Sequence, residues 1–432
     1  MSPKMRISRL VFVLFGLIIS PLFHGAAAGA ETLTLEKAVA EARSKSLLLQ
    51  QAQAGLASAS YAAAEQKTYL YPSFNLSGNY GYWEGLSSAG SSNGQDSASL
   101  AFSATQPIYN GGRLKAAYQS ALLNVGLARH VYDQAGLDLA LQVRNSYYTI
   151  LRLKKTVSVA DELVANRQRH LAEVEKKVQI GVLPKVEKLK AEVELAHSRD
   201  SLTSVRNNLA LAYSSLNRLL ERPLEGALDL AEVDTTARPN WSGITPEVLY
   251  EEALKQRPEI RYGELQLARS QQNEILARSG YHPELALTLS QGESQADAFR
   301  GSWQDSSQLM LVFSWNVWNF GQVRNRLAAS RSETSRVGLA LDDQVRMVRL
   351  EVKNAWLSLE SSLDRIDTAG QAVGQAEEVL RMQGIRFQEG LATNTEVLDA
   401  EFALAQARTN YYNAIYDFLQ AEAYLRRSLG RE

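Results

Sequence analysis

The sequence predicts a mainly α-helical protein with four bilayer-length β-strands, built from two tandem copies of one unit: helix, β-hairpin, very long helix, shorter helix. Three observations carry this. The first is internal repetition: Gly181-Val182-Leu183 recurs as Gly390-Leu391-Ala392, and Ile108-Tyr109-Asn110-Gly111-Gly112 recurs as Val317-Trp318-Asn319-Phe320-Gly321, both at a shift of 209 residues. Upstream the shift is 211, pairing Tyr71-Pro72 with His282-Pro283 and Glu41-Ala42 with Glu252-Ala253. The second is a proline-free run from Leu114 to Ile180 with apolar residues at helical spacing. The third is a change of period from 3.6 to 2 between residues 73 and 105, repeated between 284 and 316.

Taken in order, the elements begin with an export segment. Lys4, Arg6 and Arg9 precede an uncharged run from Leu10 to Phe23, and Ala28-Gly29-Ala30 supplies the small-x-small pattern of a signal-peptidase site. A run of this length is short for a ~30 Å hydrocarbon core, so residues 1–30 are expected to be a cleaved signal rather than an anchor. The first copy is expected over 31–222, as a helix at 34–67, a hairpin at 69–109, a long helix at 113–180 and a helix at 184–221. In the hairpin Phe74, Leu76, Tyr80 and Tyr82 alternate with Ser, Asn and Gly, and Ala98, Leu100, Phe102 and Ala104 alternate with Ser and Thr. The long helix carries two apolar stripes, Leu139, Val143, Tyr147, Ile150 and Leu137, Leu141, Tyr148, Leu151, so it needs neighbours on two sides. At 1.5 Å per residue it spans about 100 Å, and the helices before and after it match it end to end in a coiled-coil-like assembly.

Residues 223–245, from Pro223-Leu224-Glu225-Gly226 to Trp241-Ser242-Gly243, read as a connector with room for a short strand. The second copy, 246–432, is expected as a helix at 246–279, a hairpin at 281–318, a long helix at 322–388 and a helix at 394–430. Its strands alternate less cleanly: Leu285, Leu287, Leu289 and Leu309, Leu311, Phe313, Trp315 form the oily face, while Met310 and Val312 interrupt the polar one.

Alternation alone fits a soluble antiparallel sheet and a membrane sheet equally. An oily Leu-, Phe- and Tyr-rich face in an exported chain, with uncharged Ser and Asn opposite, favours the membrane. So does the clustering of Tyr80, Tyr82, Trp83, Tyr109, Trp315 and Trp318 near strand ends, where interfacial aromatics sit. Four strands cannot close a barrel, so the chain must oligomerise; two copies would give eight strands and a filled interior, three would give twelve and a pore.

Composition closes other functions. The 46 Lys+Arg and 47 Asp+Glu give a formal charge of -1, and removing residues 1–30 leaves 43 basic and 47 acidic side chains, so no nucleic-acid partner is expected. With no cysteine there is no disulfide, thiolate metal site or cysteine-linked lipid. His130, His170, His197 and His282 are isolated, and neither HExxH, GxGxxG, GxSxG nor a phosphate loop occurs, so no enzyme, cofactor or metal is expected.

On the element order, the strand-to-helix corners Gln106–Arg113 and Asn316–Gln322, and the helix tips Ile180–Leu183 and Glu389–Thr393, the chain resembles the TolC-type outer-membrane efflux proteins over essentially all of 31–432. The resemblance implies a homotrimer: three chains form one twelve-stranded barrel in outer-membrane lipid, continued by a periplasmic barrel of helices. It also implies a role as exit duct of a tripartite efflux system, joined through a periplasmic adaptor, or membrane fusion protein, to an inner-membrane pump of the resistance-nodulation-division or ABC type. An outer-membrane component of type I protein secretion and a soluble periplasmic coiled-coil scaffold are the alternatives. Lipid-anchored relatives begin with a cysteine, so anchoring here would fall to the barrel.

By the same resemblance Glu396 and Asp399 occupy the positions of two acids that line the periplasmic constriction, with Glu187 and Lys190 as their first-copy counterparts. Residues i and i+3 share a helix face, and carboxylates converging in a pore attract cations. Acidic residues there also complement a helix N-terminus. The tips Gly181, Val182, Leu183 and Gly390, Leu391, Ala392 correspond to the adaptor-docking surface, although glycine equally serves the turn. Relatives tether the closed tip with a tyrosine and an arginine; here those places hold Phe387 and Ala392, so another lock is required.

Overall fold

A computed structural model describes residues 32–86, 92–235, 245–296 and 301–432. The expected signal segment, the apices of the two strand-connecting loops (within 84–96 and 292–305) and residues 236–244 of the connector lie outside the described residues. In the first copy α1 (Leu35–Lys45) and α2 (Leu47–Thr68) lead to β1 (Ser73–Leu86) and β2 (Ser92–Tyr109), then α3 (Arg113–Gln179) and α4 (Lys185–Leu219). In the second, α5 (Pro246–Gln256) and α6 (Pro258–Ser279) precede β3 (Glu284–Gln295), β4 (Gln304–Ser314), α7 (Gln322–Gln388) and α8 (Asn394–Ser428). Both long helices have 67 residues and both following helices 35.

The single helices expected at 34–67 and 246–279 are each two. Ser46 takes an extended ψ of 122° and caps α2 by accepting the Leu49 N–H at 3.4 Å. At the matching break Arg257 precedes Pro258, whose ring disfavours the helical conformation one residue back, and ψ there is 127°. A one-residue break leaves the 3.6-residue period almost undisturbed, which hides it in the sequence.

The two stripes of α3 meet different neighbours. The Tyr147 hydroxyl lies 2.8 Å from the Leu33 carbonyl oxygen and 2.7 Å from that of Ala231, bracing the first copy's own connector. Burial pushes that phenol up to about 12, so it stays a donor. On the other side Gln420 of α8 donates to the Asn145 carbonyl and the Thr149 hydroxyl, and Arg152 pairs with Asp417. Toward the sheet α3 lies against α2 and α6; toward the tips it lies against α4 and α8.

The main core sits at the middle of this bundle, and the two copies contribute matching residues. Val143, Ile150, Leu216 and Leu220 are fully buried, and so, 209 residues on, are Val352, Leu425 and Leu429, with Leu359 close behind. Each is worth roughly 1.5–3 kcal/mol of apolar burial. Among the described residues of the connector Leu230 forms one parallel bridge with Leu33; the rest of the expected short-strand region, 236–244, lies outside the described residues.

The strands form one antiparallel sheet, β1-β2-β3-β4. Ser73 pairs with Thr105 in the first hairpin and Glu284 with Ser314 in the second, which is the same register under the 211 and 209 shifts. Among the described residues β1 and β4 each leave one edge unpaired.

Candidate functional site

The two regions that chemistry singles out are the sheet and the far helix tips. On the sheet, Phe74 stands opposite Ala104, Leu76 opposite Phe102 and Tyr80 opposite Ala98, so the oily residues of β1 and β2 share a face; Leu287 and Leu289 meet Leu311 and Leu309 likewise. Phe74 and Phe102 stack at 6.2 Å. Phe74, Leu76, Tyr80, Tyr82, Leu309, Leu311 and Phe313 are all exposed, and no element among the described residues covers that face. The oily stretch lies low on β3 and β4 and high on β1, so it forms a level band only when the strands are tilted, as barrel strands are. Tyr109 ends β2; Trp315 lies just past β4, its indole N–H donating to the Tyr281 carbonyl at 3.2 Å, and Trp318 follows at the corner. Tyr80, Tyr82 and Trp83 lie toward the loop end of β1. No helix among the described residues is long and apolar enough to cross a membrane.

At the tips both hairpins close with one backbone device. Gly181 has φ +77° and Gly390 φ +79°; the Val182 N–H reaches the Lys177 carbonyl at 2.9 Å and the Leu391 N–H that of Arg386 at 2.7 Å. The companion bonds run from Gly181 to Val178 and from Gly390 to Phe387. This double capping of a helix C-terminus needs a left-handed residue, which explains the glycines. Of the apolar tip residues Val182 and Leu391 stand in solvent, whereas Leu183 and Ala392 pack on a small core of Val174, Phe387 and Val397.

That small core ties the two hairpins together. Phe387 is buried 5.0 Å from the His170 ring, and Lys177 places its ammonium 3.9 Å from the Phe387 centroid while donating to the Phe387 carbonyl at 2.5 Å. His170 Nε2 lies 2.6 Å from Asn394 Oδ1, and Asn394 Nδ2 donates to the carbonyl and carboxylate of Glu187, each at 3.1 Å. Lys190 closes the chain on Glu187 at 2.9 Å. Burial holds the His170 imidazole below its ordinary value, and the Lys190 and Asn394 hydrogen bonds hold the Glu187 carboxyl below its own. His170, isolated along the chain, is not isolated in the fold, and Lys177 and Asn394 carry no signal in the sequence, since their partners are about 210 to 225 residues away in the chain.

Glu396 and Asp399 are both exposed on α8. The Glu396 carboxylate accepts the Thr393 N–H at 2.8 Å while Thr393 Oγ1 accepts the Glu396 N–H at 3.3 Å, a reciprocal capping box. Asp399 instead lines an open groove between α4 and α8 with Val186, Leu189, Val193 and Phe402. On the side of α8 that meets Val159 and Leu163 of α3, Glu401 is buried, Oε2 lacks a hydrogen-bond partner among the described residues, and burial pushes its carboxyl up to about 7 against the pull of Arg167 and Arg169.

A duplicated subunit with an uncovered oily sheet, two open sheet edges and helices about 100 Å long defines a membrane-embedded channel subunit rather than a self-contained globule. The family profile described as "Outer membrane efflux protein" matches residues 38–221 and again 249–431, once per copy, and the chain belongs to that family. It is 28% identical over 363 residues to the "Pyoverdine export outer membrane protein OpmQ" of Pseudomonas aeruginosa, covering 81% of this chain and 73% of that one. To "Outer membrane protein TolC" of Escherichia coli it is 23% identical over 383 residues, 85% of this chain and 76% of that one. Among solved structures, the outer-membrane channel OprN superposes with a TM-score of 0.83 at 19% identity, covering 92% of this chain and 90% of that one. CusC superposes at 0.82 and 21%, covering 93% of each. The protein is an outer-membrane efflux channel component of a Gram-negative cell.

Proposed function

We propose that three copies of this chain close a twelve-stranded barrel in the outer membrane, serving as the exit duct of a tripartite efflux system. In this reading a periplasmic adaptor docks at the tips and an inner-membrane pump of the resistance-nodulation-division or ABC type loads the duct with small molecules. The observation that carries it is the sheet: among the described residues its oily face is uncovered and both edges are open, and lipid tolerates no open edge. A soluble scaffold would leave that face in water.

Asp399 and Glu396 are the candidate gate acids, Asp399 the stronger because Glu396 is engaged in its own cap. Glu187 serves the latch between the hairpins. Val182 and Leu391, presented by Gly181 and Gly390, are the apolar contacts offered to the adaptor, while Leu183 and Ala392 support them from beneath. Tyr80, Tyr82 and Trp83 would mark the outer membrane interface and Tyr109, Trp315 and Trp318 the inner one. The deciding experiment is native mass and single-channel conductance of the detergent-extracted protein. A conducting trimer is expected; a monomer without conductance would end this reading.

A further inference from the structure

The internal seam between the copies, β2 against β3 and α3 against α6, is a template for whatever covers the open edges of β4 and β1. Because the two hairpins keep one register under the 211 and 209 shifts, the internal strand pairs from Ala98–Gln295 to Thr105–Thr288 map onto β4 and β1 of a second copy, and the α3–α6 contacts map onto α7 and α2. The trimer reading closes the barrel by setting β4 antiparallel to the partner subunit's β1, and the repeat supplies the register; we propose that an aromatic wedge of Phe320, Trp318 and the partner subunit's Tyr71 locks that seam at the strand-to-helix corner. The inference rests on the trimer reading and specifies its seam.

The register can be checked against the side chains. The internal pair Thr105 and Thr288 have hydroxyls 3.3 Å apart, and the mapped pair is Ser314 with the partner subunit's Ser77, again two hydroxyls. Gly292, where a Cβ would meet the Ala101 Cβ at 3.3 Å and the Leu100 carbonyl oxygen at 3.1 Å, maps onto the partner subunit's Gly81, so the close approach stays possible. The same register sets Leu309 and Leu311 opposite the partner subunit's Tyr82 and the partner subunit's Tyr80, oily residue to oily residue. A slip by one would turn the oily faces of the two strands to opposite sides and set Leu309 and Leu311 against the partner subunit's Gly81 and the partner subunit's Asn79, or against the partner subunit's Trp83 and the partner subunit's Gly81. On the helices Gly126, whose Cβ would come within 2.8 Å of Leu265, maps to Ser335 against the partner subunit's Ala54, small against small.

The corner departs from the template. Gly111, at φ +60°, lets His282 approach so closely that a Cβ would lie 2.7 Å from the His282 Cβ and 3.0 Å from the Ser279 carbonyl. Its counterpart is Phe320, left-handed at φ 49° with no glycine to relax it. Where Tyr109 meets His282 edge-on at 6.4 Å, the mapped pair is Trp318 and the partner subunit's Tyr71. In the lone chain Phe320 is 90% exposed, Trp318 75% and Tyr71 56%, while Trp318 and Phe320 already pack edge-on at 5.9 Å. Phe320 cannot seat as Gly111 does, so the seam is held open there and its ring fills the gap against the partner subunit's Tyr71. A strained aromatic in solvent thereby becomes an interface anchor.

The chain has no cysteine, so introduced pairs report cleanly. Ser77→Cys with Ser314→Cys is expected to give a covalent trimer on oxidation in extracted membranes. Asn75→Cys or Asn79→Cys with Ser314→Cys should give little. Phe320→Gly and Tyr71→Ala should each lower the temperature at which the trimer dissociates, by several degrees, with the double variant less than additive. Trimers by native mass that cross-link preferentially in an offset pair, or not in the Ser77–Ser314 pair, would overturn the register while leaving the trimer intact. A Phe320→Gly trimer at least as heat-resistant as the parent would overturn the wedge. A monomer by native mass would sink both the assembly and its seam.

Discussion

At the scale of single residues, the far tips hold the groups whose chemistry has most effect. Glu401 is a carboxyl raised by burial to about 7 from an unfolded value of 4.5. The unfolded state therefore releases its proton first as pH rises. Stability contributed by the protonated form is complete below pH 4.5 and is lost through pH 7, a change of about 3 kcal/mol. Glu401→Gln should thus stabilise the protein at pH 7 and above, with the gain vanishing near pH 4, as read from denaturant midpoints across pH. His170 works in the opposite sense. Its imidazole sits below its ordinary value, so stability is lost as pH falls below that ordinary value, and the unfolded state takes up the proton first. Glu173 pulls it up and Lys177 pushes it down, but burial dominates. Phe387→Ala removes the ring that both His170 and Lys177 engage; truncating a buried aromatic costs about 3–5 kcal/mol. The tip should become more sensitive to protease and the channel's resting conductance should rise. An unchanged resting conductance would mean the latch does not hold the channel closed.

At the scale of elements, the corners and turns show how duplication shares one plan and then diverges. Gly111→Ala would bring a Cβ to 2.7 Å from His282 at a left-handed φ, adding about 1–2 kcal/mol of backbone strain to an overpacking cost of about 1–3 kcal/mol. The expected result is a lower denaturation midpoint, whereas Gly181→Ala, with open space around it, should show the strain alone. The long helices and the hairpins were legible because their signals are periodic and repeated: the stripes through Val143 and Tyr148 and the Phe74–Tyr82 alternation each span many residues. The breaks at Ser46 and Arg257 were not, since a single extended residue hardly shifts a 3.6-residue pattern. Pro258 was the available signal for one of them. The latch among Lys177, Phe387, His170 and Asn394 was illegible for another reason: it is assembled across the two copies, and periodicity carries no information about which side chains meet at such separations. The vacancies of tyrosine at 387 and arginine at 392 pointed to a replacement lock without saying what it was.

At the scale of the whole molecule, ion selectivity would report how the tips of several subunits converge. Asp399 faces an open groove, and Glu396 spends its carboxylate on the Thr393 N–H, so the two acids are unequal despite sharing a helix face. Three copies of Asp399 near one axis would place like charges where the field of each is felt by the others, raising the local cation concentration. Asp399→Ala should therefore reduce cation over anion permeability in planar bilayers more than Glu396→Ala does. Glu396→Ala should instead destabilise the start of α8 by about 1 kcal/mol through the lost cap. Low salt should enlarge the difference, because a Debye length of about 30 Å at 0.01 M spans the pore and one of about 3 Å at 1 M does not. Equal effects from both substitutions would mean that the capping box opens in the assembled channel and frees Glu396 to face the axis. No effect from either would move the constriction elsewhere along the helices and leave the barrel and its seams untouched.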